Sequence, residues 1–106
     1  MLSIVIPTLN AAAGLRATLE SLVEGTGELE QTEIIIVDAG STDETVELAK
    51  NAGARVISAD KGRGNQLAKG ADAARGGWLL FIHADTILQP DWQAVVSNFM
   101  TAPQAQ

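Results

Sequence analysis

Four consecutive β-branched aliphatic residues, Ile34-Ile35-Ile36-Val37, stand between Glu33 and Asp38. Successive side chains of a strand point to opposite faces, so a run without polar alternation is a strand buried on both sides. Two-sided burial is the condition of a parallel sheet whose crossover helices cover both faces. A chain of 106 residues has room for one such domain and little more. The remaining sequence must therefore supply partner strands and covering helices.

It does so in strict alternation. Ser3-Ile4-Val5-Ile6 reads as a strand stopped by Pro7, and Asn10 as the N-cap of an amphipathic helix over about 11–24 carrying Leu15, Leu19, Leu22 and Val23. Gly25-Thr26-Gly27 ends that helix. After the Ile34 strand, Ser41-Thr42-Asp43-Glu44 matches a capping box for a helix over about 42–52, with Gly53 as its C-cap. Arg55 to Ser58 is a third strand. A helix over about 64–75 follows, ended by Gly76-Gly77, and Trp78 to Ile82 is a fourth strand. Pro90-Asp91 opens a last helix with Trp92, Val95, Val96, Phe99 and Met100 on one stripe, before a frayed tail from Pro103. The βαβαβαβα order predicts an α/β, Rossmann-like domain spanning 1–106: a parallel sheet of about four strands flanked by helices, in the order 3-2-1-4.

Charge narrows the ligand classes. Seven basic residues against thirteen acidic give a net charge of −6, which repels phosphate backbones and disfavours nucleic-acid binding. An anionic ligand must then be met by a local cationic group. No cysteine is present, which excludes disulfides, thiolate metal sites and cysteine nucleophiles, and the single histidine excludes multi-histidine metal sites. No apolar run nears the ~20 residues of a membrane span. Met1-Leu2-Ser3 lacks the basic region of a secretory signal, so a cytoplasmic location is expected.

Ligands of an open parallel sheet bind beyond the C-terminal ends of its strands. Four segments qualify: Pro7-Thr8-Leu9-Asn10, Asp38, the basic glycine-rich loop Lys61-Gly62-Arg63-Gly64, and His83-Ala84-Asp85. A carboxylate at such a position caps a helix, holds a hydroxyl or binds a hard cation. Arg63 just before a helix combines a phosphate-binding guanidinium with backbone N–H groups.

Three segments in this order, Ile4 to Asn10, Ile36 to Asp43 and Leu80 to Thr86, make the sequence resemble the nucleotide-sugar half of family 2 glycosyltransferases, which have the GT-A fold. Gly62-Arg63-Gly64 with Gln66-Leu67, and His83 where the family usually has an acid, are most similar to a short bacterial subgroup of arsenosugar-biosynthesis type. The resemblance covers about residues 2–92. It implies that Pro7, Thr8 and Asn10 form the first nucleotide-binding loop and that Asp38 holds the uracil or ribose. It implies Arg63 near the diphosphate and Asp85 on a divalent cation, Mg²⁺ or Mn²⁺, that bridges the diphosphate oxygens. His83 is expected as a supporting partner of Asp85 or a donor to phosphate. The partners implied are a nucleotide-sugar donor, a UDP-sugar, and an acceptor. The family domain is about twice as long, and its second half carries most of the acceptor site and the general base. The chain thus reads as a donor half, completed by a missing C-terminal half or a second copy.

Other readings stand beside these. Capping accounts for Ser41, Thr42 and Asp43, solvation for Lys61 and Lys69, and core packing for the Trp92 stripe. Gly62-Arg63-Gly64-Asn65-Gln66-Leu67 also begins like a dinucleotide fingerprint, with Asp85 about twenty residues on, although Leu67 takes the place of its last small residue. A non-catalytic module docking through the Trp92 stripe and the last strand edge is a further alternative.

Overall fold

The computed structural model of the chain describes residues 2–24 and 32–101. Four strands, β1 (Leu2–Thr8), β2 (Thr32–Asp38), β3 (Arg55–Ser58) and β4 (Trp78–Phe81), alternate with four helices. These are α1 (Ala12–Glu24), α2 (Thr45–Asn51), α3 (Arg63–Ala73) and α4 (Trp92–Thr101). All strand pairs are parallel, in the expected order β3-β2-β1-β4.

The alternation of β1 divides the core. Leu2, Ile4 and Ile6 face one side, with Ile36, against Leu15, Leu19 and Leu22 of α1, Ala49 of α2 and Trp92 of α4. Val5, Ile35 and Val37 face the other side, under Leu67 of α3. Gly70 lets α3 sit close: a Cβ there would lie 2.3 Å from Val5 Cγ1. β4 is covered on one side alone. Trp78, Leu80 and Ile82 pack on the α1 side, whereas Leu79 and Phe81 are 41% and 45% exposed.

Several boundaries differ from the expectation, each for a local reason. β1 runs through Pro7 to Thr8, because the Pro7–Val37 pairing continues on the β2 side. Val5 O accepts from Ile82 N and Thr8 O from Ala39 N, so odd residues face β4 and even ones β2. Pro7 thus presents its missing N–H toward β4, whose pairing has already ended at Val5–Phe81. The helix expected from 42 starts at Thr45, and no capping box forms: the Ser41 hydroxyl donates to Asp38 Oδ1 instead. Gly53 does close α2, at φ +85, with Gly53 N–H on Lys50 O and Ala54 N–H on Ala49 O, a Schellman pair. α3 begins at Arg63 and ends at Ala73, and β4 ends at Phe81. The expected Gly25-Thr26-Gly27 stop, the Val23, Phe99 and Met100 side chains, and the tail from Pro103 lie outside the described residues.

Opposite the C-terminal strand ends, a polar cluster ties the sheet together. Glu33 Oε2 accepts from Ser3 Oγ at 2.6 Å and Arg75 N–H at 2.6 Å, and Glu33 Oε1 meets Arg55 at 3.4 Å. Burial pushes the Glu33 carboxyl up, but the Ser3 and Arg75 hydrogen bonds and the two arginine charges outweigh it and leave it below its ordinary value.

Candidate functional site

The chemistry gathers where β1 parts from its neighbours. On the β2 side the gap is stitched by Gln66 of α3. Its buried Nε2 donates to Thr8 O at 3.0 Å and Val37 O at 2.9 Å, tying α3 to the last residues of the β1–β2 ladder. Asp38, 5% exposed, ends β2 as an acceptor node. Its Oδ1 takes Thr8 Oγ1 at 2.8 Å and Ser41 Oγ at 2.5 Å, and its Oδ2 takes Gly40 N–H at 3.0 Å and Ser41 N–H at 2.8 Å. Both oxygens therefore have their lone pairs engaged. Burial pushes this carboxyl up; the bonds from Ser41, Thr8 and Gly40 prevail and hold it below the usual carboxylate value.

Asn10 does not cap α1. Its backbone is left-handed, φ +51, a conformation Asn tolerates, and its Oδ1 accepts from Thr42 N–H at 2.7 Å and Asp43 N–H at 3.3 Å. The loop before α2 returns the favour to the start of α1. Ala11 N–H donates to Thr45 Oγ1 at 2.9 Å and Ala12 N–H to Asp43 Oδ2 at 3.2 Å. Asp43 also accepts from the Thr45 hydroxyl, the main cause that keeps it below its ordinary value. So the capping assigned to Asp43 is real, though it serves two helices. Ser41 and Thr42 serve Asp38 and Asn10.

On the β4 side the parting stays open. A cleft of about 460 Å³ lies there, lined by Pro7, Asn10, Gly14, Arg63, His83 and Asp85 among others. Arg63, the first residue of α3, and His83, just past β4, meet across it: Arg63 Nη2 lies 2.9 Å from His83 Nδ1. A guanidinium carries donors alone, so Nδ1 accepts. His83 thus pairs with Arg63, a contact that neither expected role, partner of Asp85 or donor to phosphate, included. Asp85 is set by α1. Thr18 Oγ1 donates to Ala84 O at 2.8 Å, and Gly14 leaves room for Asp85, whose Cβ would lie 3.0 Å from a methyl at position 14.

Of the candidate site residues, Pro7, Asn10, Arg63, His83 and Asp85 line this one cleft. Thr8 and Asp38 stand outside it, at the adjoining ends of β1 and β2, hydrogen-bonded to each other. Sequence reasoning missed Gly14 and Thr18, whose signal is a small residue and a hydroxyl one turn apart on the helix after the first strand. It named Gln66 as part of a motif but gave no role to this long amide on the sheet-facing side of α3.

Neither rival reading is favoured. Gly62-Arg63-Gly64 opens α3 after the edge strand β3, not the helix after a central first strand. Trp92 is buried, with its indole N–H donating to Ser21 O at 3.2 Å, and Val96 packs on the core, but Val95, expected on the same core stripe, is 61% exposed because it lies on the outer side of α4.

Comparison with known proteins points one way. The sequence profile described as Glycosyl transferase family 2 matches residues 3–106. A PGL/p-HBAD biosynthesis glycosyltransferase of Mycobacterium bovis is 42% identical over 109 residues, covering 94% of this chain and 41% of that protein. Glucosyl-3-phosphoglycerate synthase of Mycobacterium tuberculosis is 34% identical over 98 residues, covering 81% and 29%. A crystal structure of the latter enzyme in complex with Mn²⁺, uridine diphosphate (UDP) and glucosyl-3-phosphoglycerate matches with a TM-score of 0.79 and 29% identity, over 95% of this chain and 40% of that one. S. aureus TarS shares the fold, with a TM-score of 0.81 at 24% identity over 93% and 32%. The sheet and its helices have the Rossmann-like GT-A arrangement of these neighbours. The chain spans 41% of the length of the mycobacterial glycosyltransferase it matches.

Proposed function

We propose a donor-binding role for this chain, which belongs to glycosyl transferase family 2: its cleft takes a nucleotide-activated sugar, a UDP-sugar, for transfer to an acceptor hydroxyl. The observation that carries this reading is the meeting of Asn10, Arg63, His83 and Asp85 around one opening. The strands leading there are apolar, so polar groups are concentrated where a ligand can reach them. Arg63 supplies the cationic site that an acidic protein needs for a diphosphate, and its place at the start of α3 adds free N–H groups. Pro7 and Asn10 shape the nucleoside end. Thr8 and Asp38 act there by bracing the loop that Asn10 holds. A direct uridine contact by Asp38 requires one of its present donors to yield.

The donor set also fits a divalent cation of one kind. Among the described residues, no three His, Cys, Asp or Glu side chains gather into a preformed cage. Asp85 lines the cleft as one carboxylate. Mg²⁺ and Mn²⁺ sites that hold substrate phosphates use one or two carboxylates plus phosphate oxygens and water, so Asp85 would hold the ion together with the ligand. Such an ion supplies Lewis-acid stabilisation of the departing diphosphate. This chain's residues bind and orient the donor. We place the acceptor site and the general base in the part of the relatives' length that this chain does not span. A cytoplasmic location goes with this reading, as does membership of the short arsenosugar-type subgroup, which Gly62-Arg63-Gly64 and His83 support.

Thermal unfolding with UDP and Mn²⁺, against NAD, tests the ligand class. At 100 times its dissociation constant a ligand adds about 2.7 kcal/mol of stability. UDP with Mn²⁺ is expected to raise the midpoint and NAD to leave it unchanged. Stabilisation by NAD, or by neither, overturns the reading. Turnover of a radiolabelled UDP-sugar at enzyme-like rates by the 106-residue chain would overturn the placement of the base elsewhere.

A further inference from the structure

We infer that His83 is a positioning residue: its neutral imidazole holds the Arg63 guanidinium at the cleft without cancelling the charge that a diphosphate needs. The inference rests on the donor-binding reading above and deepens it. Arg63 and His83 lie 20 residues apart in sequence and come from different elements, the N-terminus of α3 and the end of β4. Both side chains are exposed, and both line the cleft that Asp85 shares.

Exposed polar pairs contribute little to folding, so stability gives no reason for this one. Its consequence is geometric. A free arginine loses rotamer entropy when a ligand fixes it, and fixing it beforehand removes that cost from binding. A carboxylate at position 83 would fix it equally well but would compete with the ligand for the same charge. Nδ1 offers one lone pair and no charge. The Nη2 proton on that lone pair leaves four of the five guanidinium N–H groups to other acceptors.

Titration calorimetry of UDP and of uridine, both in EDTA, provides the test. His83→Phe, which keeps a ring and removes the acceptor, is expected to weaken UDP about three- to tenfold and leave uridine unchanged. His83→Asn restores an acceptor near the Nδ1 position and recovers most of the affinity. His83→Asp weakens UDP although it also accepts. In an Arg63→Ala background, His83→Phe has no further effect. Equal UDP affinity of His83→Phe and wild type overturns the inference alone. So does a loss shared by uridine, or one that persists without Arg63. Failure of wild type to bind UDP even with Mn²⁺ overturns the donor-binding reading and this inference with it.

Discussion

Gly14 and Asp85 are in near contact: a methyl at position 14 would stand 3.0 Å from Asp85 Cβ and 3.3 Å from Asp85 Cα. The first turn of α1 and the loop after β4 therefore share one space, and Thr18 locks them through Ala84 O. Because α1 is anchored on the core face of the sheet by Leu15, Leu19 and Leu22, the cleft acid inherits the position of a rigid helix. Loop residues that carry chemistry gain precision this way, from the scaffold beneath them.

Gly14→Ala should separate function from stability. Alanine gains up to about 1 kcal/mol of helix propensity over glycine, which offsets the tight contact, so the unfolding midpoint should change little. Relief of the contact displaces Asp85 by a few tenths of an ångström. UDP affinity in the presence of Mn²⁺ should fall several-fold, while affinity in EDTA should hold. Calorimetry with and without the ion measures both, and an equal loss in the two conditions would refute the link.

How far the sequence reveals this arrangement depends on the range of the interactions. The two-faced apolar run from Ile34 to Val37 and the alternation of strands and helices are local patterns, whereas the strand order 3-2-1-4 is the Rossmann choice among several that right-handed crossovers allow. Strand ends are local as well, so Asn10, Arg63, His83 and Asp85 could be picked before their meeting was visible. What those groups bond to is tertiary. The donors on Asp38 include Thr8, thirty residues earlier in sequence. Asn10 looks like a cap because Asn caps helices, yet its left-handed turn aims it at the loop around Thr42. The apparent capping box fails for the same reason, since Asp38 captures Ser41 first.

Packing on the other face yields a stability prediction. A Cβ on Gly70 would meet Val5 Cγ1 at 2.3 Å and Val37 Cγ2 at 3.0 Å. Overpacking of this kind costs about 1–3 kcal/mol, more than the propensity that alanine gains in a helix. Gly70→Ala should lower the unfolding midpoint by roughly 4–8 °C per kcal/mol lost, measured by calorimetric melting. An unchanged midpoint would mean that α3 rides higher on the sheet.

Acid should unfold the protein chiefly through Asp38 and Glu33 on opposite rims, with the exposed Asp43, also held below its ordinary value, adding to them. Asp38 and Glu33 both sit below their ordinary values in the folded chain. In the unfolded chain they return to about 3.9 and 4.3. Their contribution is therefore present above those values and is lost as pH falls through the lower, folded ones. Urea unfolding between pH 7 and pH 2 should show a flat plateau and then a decline below about pH 4. Asp38→Asn should be less stable on the plateau and decline less steeply. A variant with the same acid slope as wild type would remove Asp38 from the cause.

Asp85→Ala bears most directly on the cation. The side chain is exposed and its pocket edge is built from backbone and Gly14, so its removal takes nothing from the core. The unfolding midpoint should stay within the small range of surface substitutions, about ±0.5 kcal/mol. In wild type, Mn²⁺ should tighten UDP binding, because the proposed ion would neutralise the diphosphate and would be held in part by the carboxylate. In Asp85→Ala that enhancement should vanish, leaving the affinity that Arg63 alone provides. Asp85→Asn keeps an oxygen but not its charge, and should recover a small part of the effect. Calorimetry of UDP with Mn²⁺ and with EDTA on the three proteins gives the comparison. An ion-dependent enhancement in Asp85→Ala equal to that of wild type would place the cation on other residues and leave Arg63 as the principal anchor of the diphosphate.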